Sequence, residues 1–313
     1  MIRRALCFLI PAVCLAVPAL AQDTVIRVAV RLVHMLVTVK DANGQLISSL
    51  NKGDFTVFDN GVKQDVAVFE RQTEQPLSVA LMVDTSASTG IEIRYELDSV
   101  RKFLRALVVE GNPKDALALY SFNWQVTLHA AYTRRFERLD QALRQLKSEG
   151  GTSLYDAIYL GSRELEYREG RHVMVVVTDG GDTTSFKDFH QALEAAQRAD
   201  LVMYPVVVIP ITNDAGRNTG GENALATLAV GTGGRVFTPS SAGELDVVFE
   251  DILRELRTQY LIGYYPKDVP PTKDRYHALK VTVEGPRGGK NLRVTTRSGY
   301  YGDVDASGSG LGR

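Results

Sequence analysis

The chain has 313 residues, of which 44% are hydrophobic, 23% charged and 8% aromatic, the balance of a globular protein of about two domains rather than a disordered, collagen-like or polytopic membrane chain. Lysine and arginine number 36 against 37 acidic residues, a formal net charge of -1. No strong positive field is present to hold a polyanion by counterion release, so no nucleic-acid partner is expected.

Residues 1–21 read as a cleavable export signal. Arg3 and Arg4 supply a positive start, residues 5–17 are apolar, and Ala19-Leu20-Ala21 is a small-x-small cleavage site before Gln22. The apolar run is short for a membrane span and no later segment is long enough, so no integral membrane segment is expected after cleavage. A secreted or periplasmic location follows. Cys7 and Cys14 both fall inside the leader, which leaves the mature chain without a disulfide, thiolate metal site or cysteine nucleophile.

Residues 22–76 carry strand signals. Val28, Val30 and Leu32, then Val33, Met35, Val37 and Val39, alternate with a change of phase near His34, as in a half-buried strand with a bulge or bend. Beyond the turn signal Asp41-Ala42-Asn43-Gly44, Phe55 and Val57 lead through Asp59-Asn60-Gly61 into Val66, Val68 and Glu70. This predicts a hairpin with a type I′ turn at Asn60-Gly61.

From 77 to 257 the pattern becomes strand, helix, strand. Residues 77–83 and 173–177 are apolar on both faces, as in parallel strands covered by helices on either side. Strands at 116–122 and 126–131 are separated only by Asn123-Trp124-Gln125, too short for a parallel crossover, so this pair must be antiparallel. Helices are predicted at 90–107, 136–146, 154–167, 186–199, 224–230 and 244–256, with further strands at 202–209 and 235–237. Pro205 lacks a ladder donor, which places the start of pairing in the 202–209 strand at Val206. The order describes an α/β unit: a doubly wound, mostly parallel open sheet with helices on both faces.

Residues 258–302 return to strand signals, at 260–264, 276–284 and 291–301, and the Gly/Ser-rich 303–313 is expected to be a disordered tail. Neither β segment is large enough to form a core easily alone. They are expected to combine into one small antiparallel β-domain with the α/β domain inserted between them.

The chemistry lies where the first α/β strand ends. Asp84-Thr85-Ser86-Ala87-Ser88 places one carboxylate and two hydroxyls at alternate positions of a tight loop. Thr152, before the 154–167 helix, and Asp179, after the 173–177 strand, add oxygens beyond the carboxyl ends of strands, where open α/β sheets bind ligands. Oxygen-only ligation with one or two carboxylates suits a hard divalent cation, Mg2+ better than a charge-dense Ca2+ cage. Ser153 and Asp156 read as the N-cap and capping box of the helix that follows. His34, His129, His172, His190 and His277 show no zinc-like spacing. Tyr260, Tyr264, Tyr265, Tyr276, Tyr300 and Tyr301 fit strand and core packing, Trp124 sits at a hairpin tip, and Arg134, Arg135 and Arg138 read as a solvated helix start.

Over about 77–256 the sequence resembles the von Willebrand factor type A domains. Asp84, Ser86 and Ser88 match the first motif of that family's metal-ion-dependent adhesion site, Thr152 its isolated threonine and Asp179 its second aspartate. The flanks, notably Gly53-Asp54-Phe55-Thr56-Val57-Phe58-Asp59-Asn60-Gly61, Tyr260-Leu261-Ile262-Gly263-Tyr264-Tyr265-Pro266 and Arg297-Ser298-Gly299-Tyr300-Tyr301, resemble exported bacterial relatives of the acidobacterial type. The resemblance implies a module that binds another protein. Asp84, Ser86, Ser88, Thr152 and Asp179 would carry Mg2+, with Mn2+ or Ca2+ as alternatives, and an acidic side chain of the partner would fill the open metal position. Loops 180–187 and 212–223 would form the specificity surface. There is no nucleophile elbow, no phosphate-cradling glycine loop with its lysine and no base at a telling spacing, so an enzyme is not expected. The competing readings are a structural envelope protein whose metal only stabilises the loop, and a Mg2+-dependent hydrolase.

Overall fold

The structure, a computed structural model, describes residues 32–71, 75–87, 93–208, 219–284 and 292–302. The expected export signal, Val28 and Val30, Ser88, the start of the helix at 90, residues 212–218 of the second loop and the 303–313 tail lie outside the described residues.

Four strands, β1 (Val33–Lys40), β2 (Phe55–Asp59), β3 (Val62–Gln64) and β4 (Val66–Arg71), lead into the α/β unit. That unit runs β5 (Leu77–Asp84), α1 (Ile93–Val108), β6 (Ala116–Phe122), β7 (Val126–Thr133), α2 (Phe136–Leu143), α3 (Leu154–Leu165), β8 (Arg171–Thr178), α4 (Phe189–Arg198), β9 (Val202–Val207), α5 (Thr219–Thr232) and α6 (Ala242–Thr258). Its strands pair in the order β7-β6-β5-β8-β9, parallel except for β6 with β7. Every residue of β5 is buried, and the two-residue period divides them between layers. Val79, Leu81 and Val83 pack with α1, α2 and α6, whereas Ala80 and Met82 pack with α3, α4 and α5. A strand covered on both faces must be apolar throughout, which accounts for the unbroken 77–83 run.

Pairing of β9 with β8 starts at Val202, earlier than the expected Val206. The reason is the edge position of β9. Phe237 N–H donates to Pro205 O (2.9 Å) and Val207 N–H donates to Phe237 O (2.8 Å), on the side away from β8. The nitrogen and oxygen of one strand residue point the same way, so the proline nitrogen faces the outer edge and β8 loses no donor. The expected strand at 235–237 is reduced to this single bridge at Phe237. The helix expected from 186 begins at Phe189, because the Asp188 carboxylate accepts from Gln191 N–H (2.8 Å) and caps it. Arg134 is not a solvated helix start: it donates to the carbonyls of Val108 (2.6 Å) and Asn112, closing the end of α1.

After α6 come β10 (Tyr260–Tyr264), β11 (Tyr276–Val283), β12 (Arg293–Thr295) and β13 (Gly299–Tyr301). They interleave with the opening strands in two antiparallel sheets, β12-β1-β10-β4 and β13-β11-β2-β3. Strands from the two segments are therefore direct neighbours, β10 between β1 and β4, and β2 beside β11. Met35, Val37, Phe55, Val57, Tyr260, Ile262 and Val281 share the core of both sheets. Asn60 and Gly61, at φ 46° and 81°, make the expected tight turn, but the hairpin closes on β3 rather than on 66–70. Gln64 exchanges two hydrogen bonds with the Lys267 backbone (2.9 and 3.0 Å), and the chain then crosses to the other sheet as β4. The strand expected at 291–301 likewise divides into β12 and β13, in different sheets. Between them Arg297 leaves the ladder to meet His34 O (2.6 Å) and Asp200.

The β sheets and the α/β unit are joined at Glu255 of α6. Its carboxylate, 1% exposed, accepts from Lys40 Nζ (2.7 Å), Arg235 Nε (3.0 Å) and Tyr204 OH (3.2 Å). No helix among the described residues is long and apolar enough to cross a membrane.

Candidate metal centre

Asp84 is the last residue of β5 and Asp179 directly follows β8, and these strands are adjacent and parallel. The register sets Val83 opposite Val177, so both acids stand at the carboxyl end of the sheet, on its central strand and the strand beside it, close enough for the charge of Asp179 to be felt by Asp84. Asp84 is 1% exposed. One of its oxygens accepts from Ser86 N–H (2.8 Å) and the other from the Thr178 hydroxyl (2.6 Å). Burial pushes its carboxyl up to about 6; the hydrogen bonds from Thr178 and Ser86 oppose that rise, and the like charge of Asp179 adds to it.

Backbone hydrogen bonds hold the surrounding loops as one body. Ala87 N–H donates to Gly150 O (3.1 Å), Glu149 N–H to Thr85 O (2.9 Å), and the Ser148 hydroxyl to Ser86 O (2.7 Å). Thr152 O accepts from the N–H groups of Thr183 (2.8 Å) and Thr184 (3.2 Å), while Thr152 N–H donates to Thr183 Oγ1 (2.8 Å). The structure thus sets Asp84 and Ser86 on a loop bonded to the 148–150 segment that leads into Thr152, with Asp179 at the end of the adjacent strand; Ser88 is outside the described residues. Their donor atoms are all oxygens, two carboxylates and two hydroxyls, which fits a hard divalent cation. Among the described residues no group of three or more His, Cys, Asp or Glu is placed to hold a metal.

The Ser153–Asp156 capping box does not form. Ser153 gives no side-chain cap and its hydroxyl pairs with Thr184 Oγ1 (2.8 Å). The first turn of α3 is instead capped by the loop after β8: Asp182 Oδ1 accepts from Tyr155 N–H (3.2 Å) and Ser185 Oγ from Asp156 N–H (3.0 Å). Asp156 returns the contact, accepting from the N–H groups of Phe186 (3.0 Å) and Lys187 (2.8 Å). Sequence reasoning missed Thr178, Asp182 and Thr183. Thr178 had a signal, a hydroxyl beside Asp179 at a strand end; the other two act across loops that only the fold joins.

The family model of the von Willebrand factor type A domain matches residues 78–251, more than half of the chain. The chain belongs to this family. An uncharacterised protein of Mycobacterium tuberculosis (strain ATCC 25618 / H37Rv) is 33% identical over 128 residues, 40% of this chain and 18% of that protein, and one from Mycobacterium bovis matches equally. The chain thus spans 18% of the length of the curated relatives it matches. Among solved structures it is similar to the vWF domain of the type V pili tip protein Mfa5 from Porphyromonas gingivalis, at 13% identity over 58% of this chain and 95% of that one, with a TM-score of 0.49. It is also similar to a von Willebrand factor type A structure from Catenulispora acidiphila, at 10% identity over 78% and 73%, again with a TM-score of 0.49.

In this von Willebrand A domain Trp124 stands at the β6–β7 tip, 53% exposed, with its ring against Gly150. Gly150 has φ +52°, and a Cβ there would lie 2.6 Å from Trp124 Cδ1. Gly150→Ala must therefore both accept a left-handed backbone and expel the ring. The expected cost is about 1–2 kcal/mol. Trp124 is the only tryptophan of the chain, so a red-shifted emission together with a lower Tm checks the prediction directly.

Proposed function

We propose that this chain is an exported protein-binding module that holds a divalent cation, Mg2+ first, on Asp84, Ser86, Ser88, Thr152 and Asp179, and there engages an acidic side chain of another protein. One observation carries the reading: Asp84, buried at the end of β5, stands at the carboxyl end of the sheet with Asp179 and with the bonded loops that carry Ser86 and Thr152. A bound cation supplies charge neutralisation and an open ligand position for a carboxylate. The residues of the chain do the positioning. Thr178 orients one oxygen of Asp84, the Ser86 N–H orients the other, and the Thr152 backbone ties the loop after β8 to the centre. Family membership supports protein binding, and the sequence of residues 1–21 supports export. The role is binding without turnover: Ser86, 2% exposed, serves the loop and is not offered as a nucleophile.

Calorimetric titration of Mg2+, Mn2+ and Ca2+ into chelator-treated protein tests the reading, with Asp84→Ala as control. One-site saturable binding in the wild type, lost in the variant, is the expected result. A flat wild-type titration with all three cations would remove the metal from the proposed role.

A further inference from the structure

A cleft of about 350 Å3 opens where the α/β unit meets the β sheets, at the start of β8, the opposite end of that strand from Asp179. The sheets line it with His34, Arg297 and Tyr301, and the α/β unit lines it with the turn after α3, the end of α4 and the first residues of β8 and β9. Four arginines, Arg168, Arg171, Arg198 and Arg297, line it against two acids, Glu166 and Asp200. Both carboxylates are already engaged: Asp200 by Arg297 and His34 (3.5 Å), and Glu166 by Arg163 (3.6 Å). Arg198 has Glu194 (2.7 Å). Arg168 instead meets the Ser78 hydroxyl (3.4 Å) and the Tyr132 ring, so among the described residues it and Arg171 are left without a carboxylate.

Arg171 is the more telling of the two. It is 5% exposed, its Nη1 and Nη2 donate to Leu256 O (2.7 Å) and Gln259 Oε1 (2.5 Å), both uncharged, and its Nε has no partner. Burial, against the weaker pull of Tyr204 and Asp115, brings this guanidinium down to about 10. A cation taken out of water and met only by neutral oxygens is costly to the fold, and an anion held nearby would offset that cost. The carbonyls of Ala199 and Arg168, which would oppose an anion, meet the ring nitrogens of His172 (2.5 and 2.9 Å). We propose that the cleft binds a small molecule with two or more anionic groups, phosphate or carboxylate, for which Arg168 and Arg171 supply the positive charge. Arg171, whose donors are engaged or covered, acts through its charge, and the exposed Arg168 can turn onto the ligand. Two uncompensated guanidinium groups call for two anionic groups, and the space is that of a small-molecule site. The net charge of -1 over the whole chain argues against a long polyanion and leaves room for a local site of this kind.

The test needs no metal and is independent of the centre at Asp84. Citrate, pyrophosphate and inorganic phosphate are titrated calorimetrically into the full chain, freed of divalent cations, at constant ionic strength. Citrate or pyrophosphate is expected to bind at one site about tenfold more tightly than inorganic phosphate, as one further charged contact would produce. The tighter of the two tells a carboxylate ligand from a phosphate one. Arg168→Glu, at an exposed position, is expected to weaken that binding about tenfold or more, and Arg171→Gln likewise where thermal unfolding shows it folded. Lys63→Glu makes the same charge change at an exposed position of β3, outside the cleft, and is expected to leave the binding unchanged. No saturable binding of citrate or pyrophosphate overturns the proposal, and so does binding that Arg168→Glu leaves intact or that Lys63→Glu weakens equally.

Discussion

Replacing Asp84 by asparagine is expected to stabilise the metal-free protein at pH 7 and to abolish its stabilisation by Mg2+. Burial, assisted by the neighbouring charge of Asp179, lifts the folded-state carboxyl to about 6 from an ordinary 3.8, against two opposing hydrogen bonds. The folded chain therefore holds this proton more tightly than the unfolded chain. Its contribution favours folding below about 3.8 and is lost as the pH rises through about 6. Above that, the ionised, metal-free protein carries a cost on the order of 3 kcal/mol. Asparagine keeps an oxygen for Ser86 N–H, and the Thr178 hydroxyl can turn to accept from its amide, so the cost disappears while the packing stays. A cation bound as proposed would offset the same cost in the wild type: at a hundredfold excess over Kd, a ligand of the folded state adds about 2.7 kcal/mol. On the proposed reading proton and cation would compete for one carboxylate, so the Mg2+-induced rise in Tm should shrink as the pH falls through about 6. Thermal unfolding of both proteins in chelator and in Mg2+, from pH 5 to 8, checks each part. An Asp84→Asn protein less stable than the wild type in chelator at pH 7 would show that the carboxylate is held at no cost.

The positions of Asp84 and Asp179 at strand ends were legible because a one-dimensional pattern can mark them. Asp84 and Asp179 follow two-sided apolar strands, which the structure pairs in parallel with Val83 opposite Val177. The antiparallel turn at 123–125 was equally forced, by length alone. What the sequence did not reveal depends on contacts between segments distant along the chain. Ser153 and Asp156 have the spacing of a capping box, but Asp182 and Ser185 reach the first turn of α3 across the sheet edge and take over the capping. Arg134 follows a strand and precedes a helix, and nothing local shows that the end of α1 lies under it. Pro205 reads as a broken ladder until β9 is known to be an edge strand whose outward carbonyl is used by Phe237. The crossing of β4 to the second sheet depends on Gln64 meeting Lys267, some 200 residues away.

Removal of the Asp59 carboxylate is expected to be the most damaging single change in the β sheets. Asp59 ends β2 with no exposed surface. One oxygen accepts from the hydroxyls of Tyr264 (2.7 Å) and Tyr300 (2.8 Å), and the other meets His277 Nδ1 (3.1 Å), whose ring stacks on Tyr300 at 4.7 Å. Burial first, and then the bond to Asp59, hold both tyrosine hydroxyls far above their ordinary range, so they remain protonated donors. The partners come from β10, β11 and β13, which makes this one carboxylate a brace between the two sheets and between the two segments of chain. Asp59→Ala removes the shared acceptor of two buried hydroxyls, which keep only their bond to each other, and the partner of an imidazole, at an expected cost of about 2–4 kcal/mol. Asp59→Asn retains an acceptor oxygen and should lose about 1–2 kcal/mol. Urea unfolding followed by far-UV circular dichroism measures both, and a loss below about 1 kcal/mol for alanine would mean that the tyrosines find other acceptors. Trp124 emission reports on the α/β unit in the same experiment. Because Glu255 ties α6 to Lys40 of β1, its midpoint should fall together with that of the sheets; two separate transitions would show that the β sheets unfold on their own.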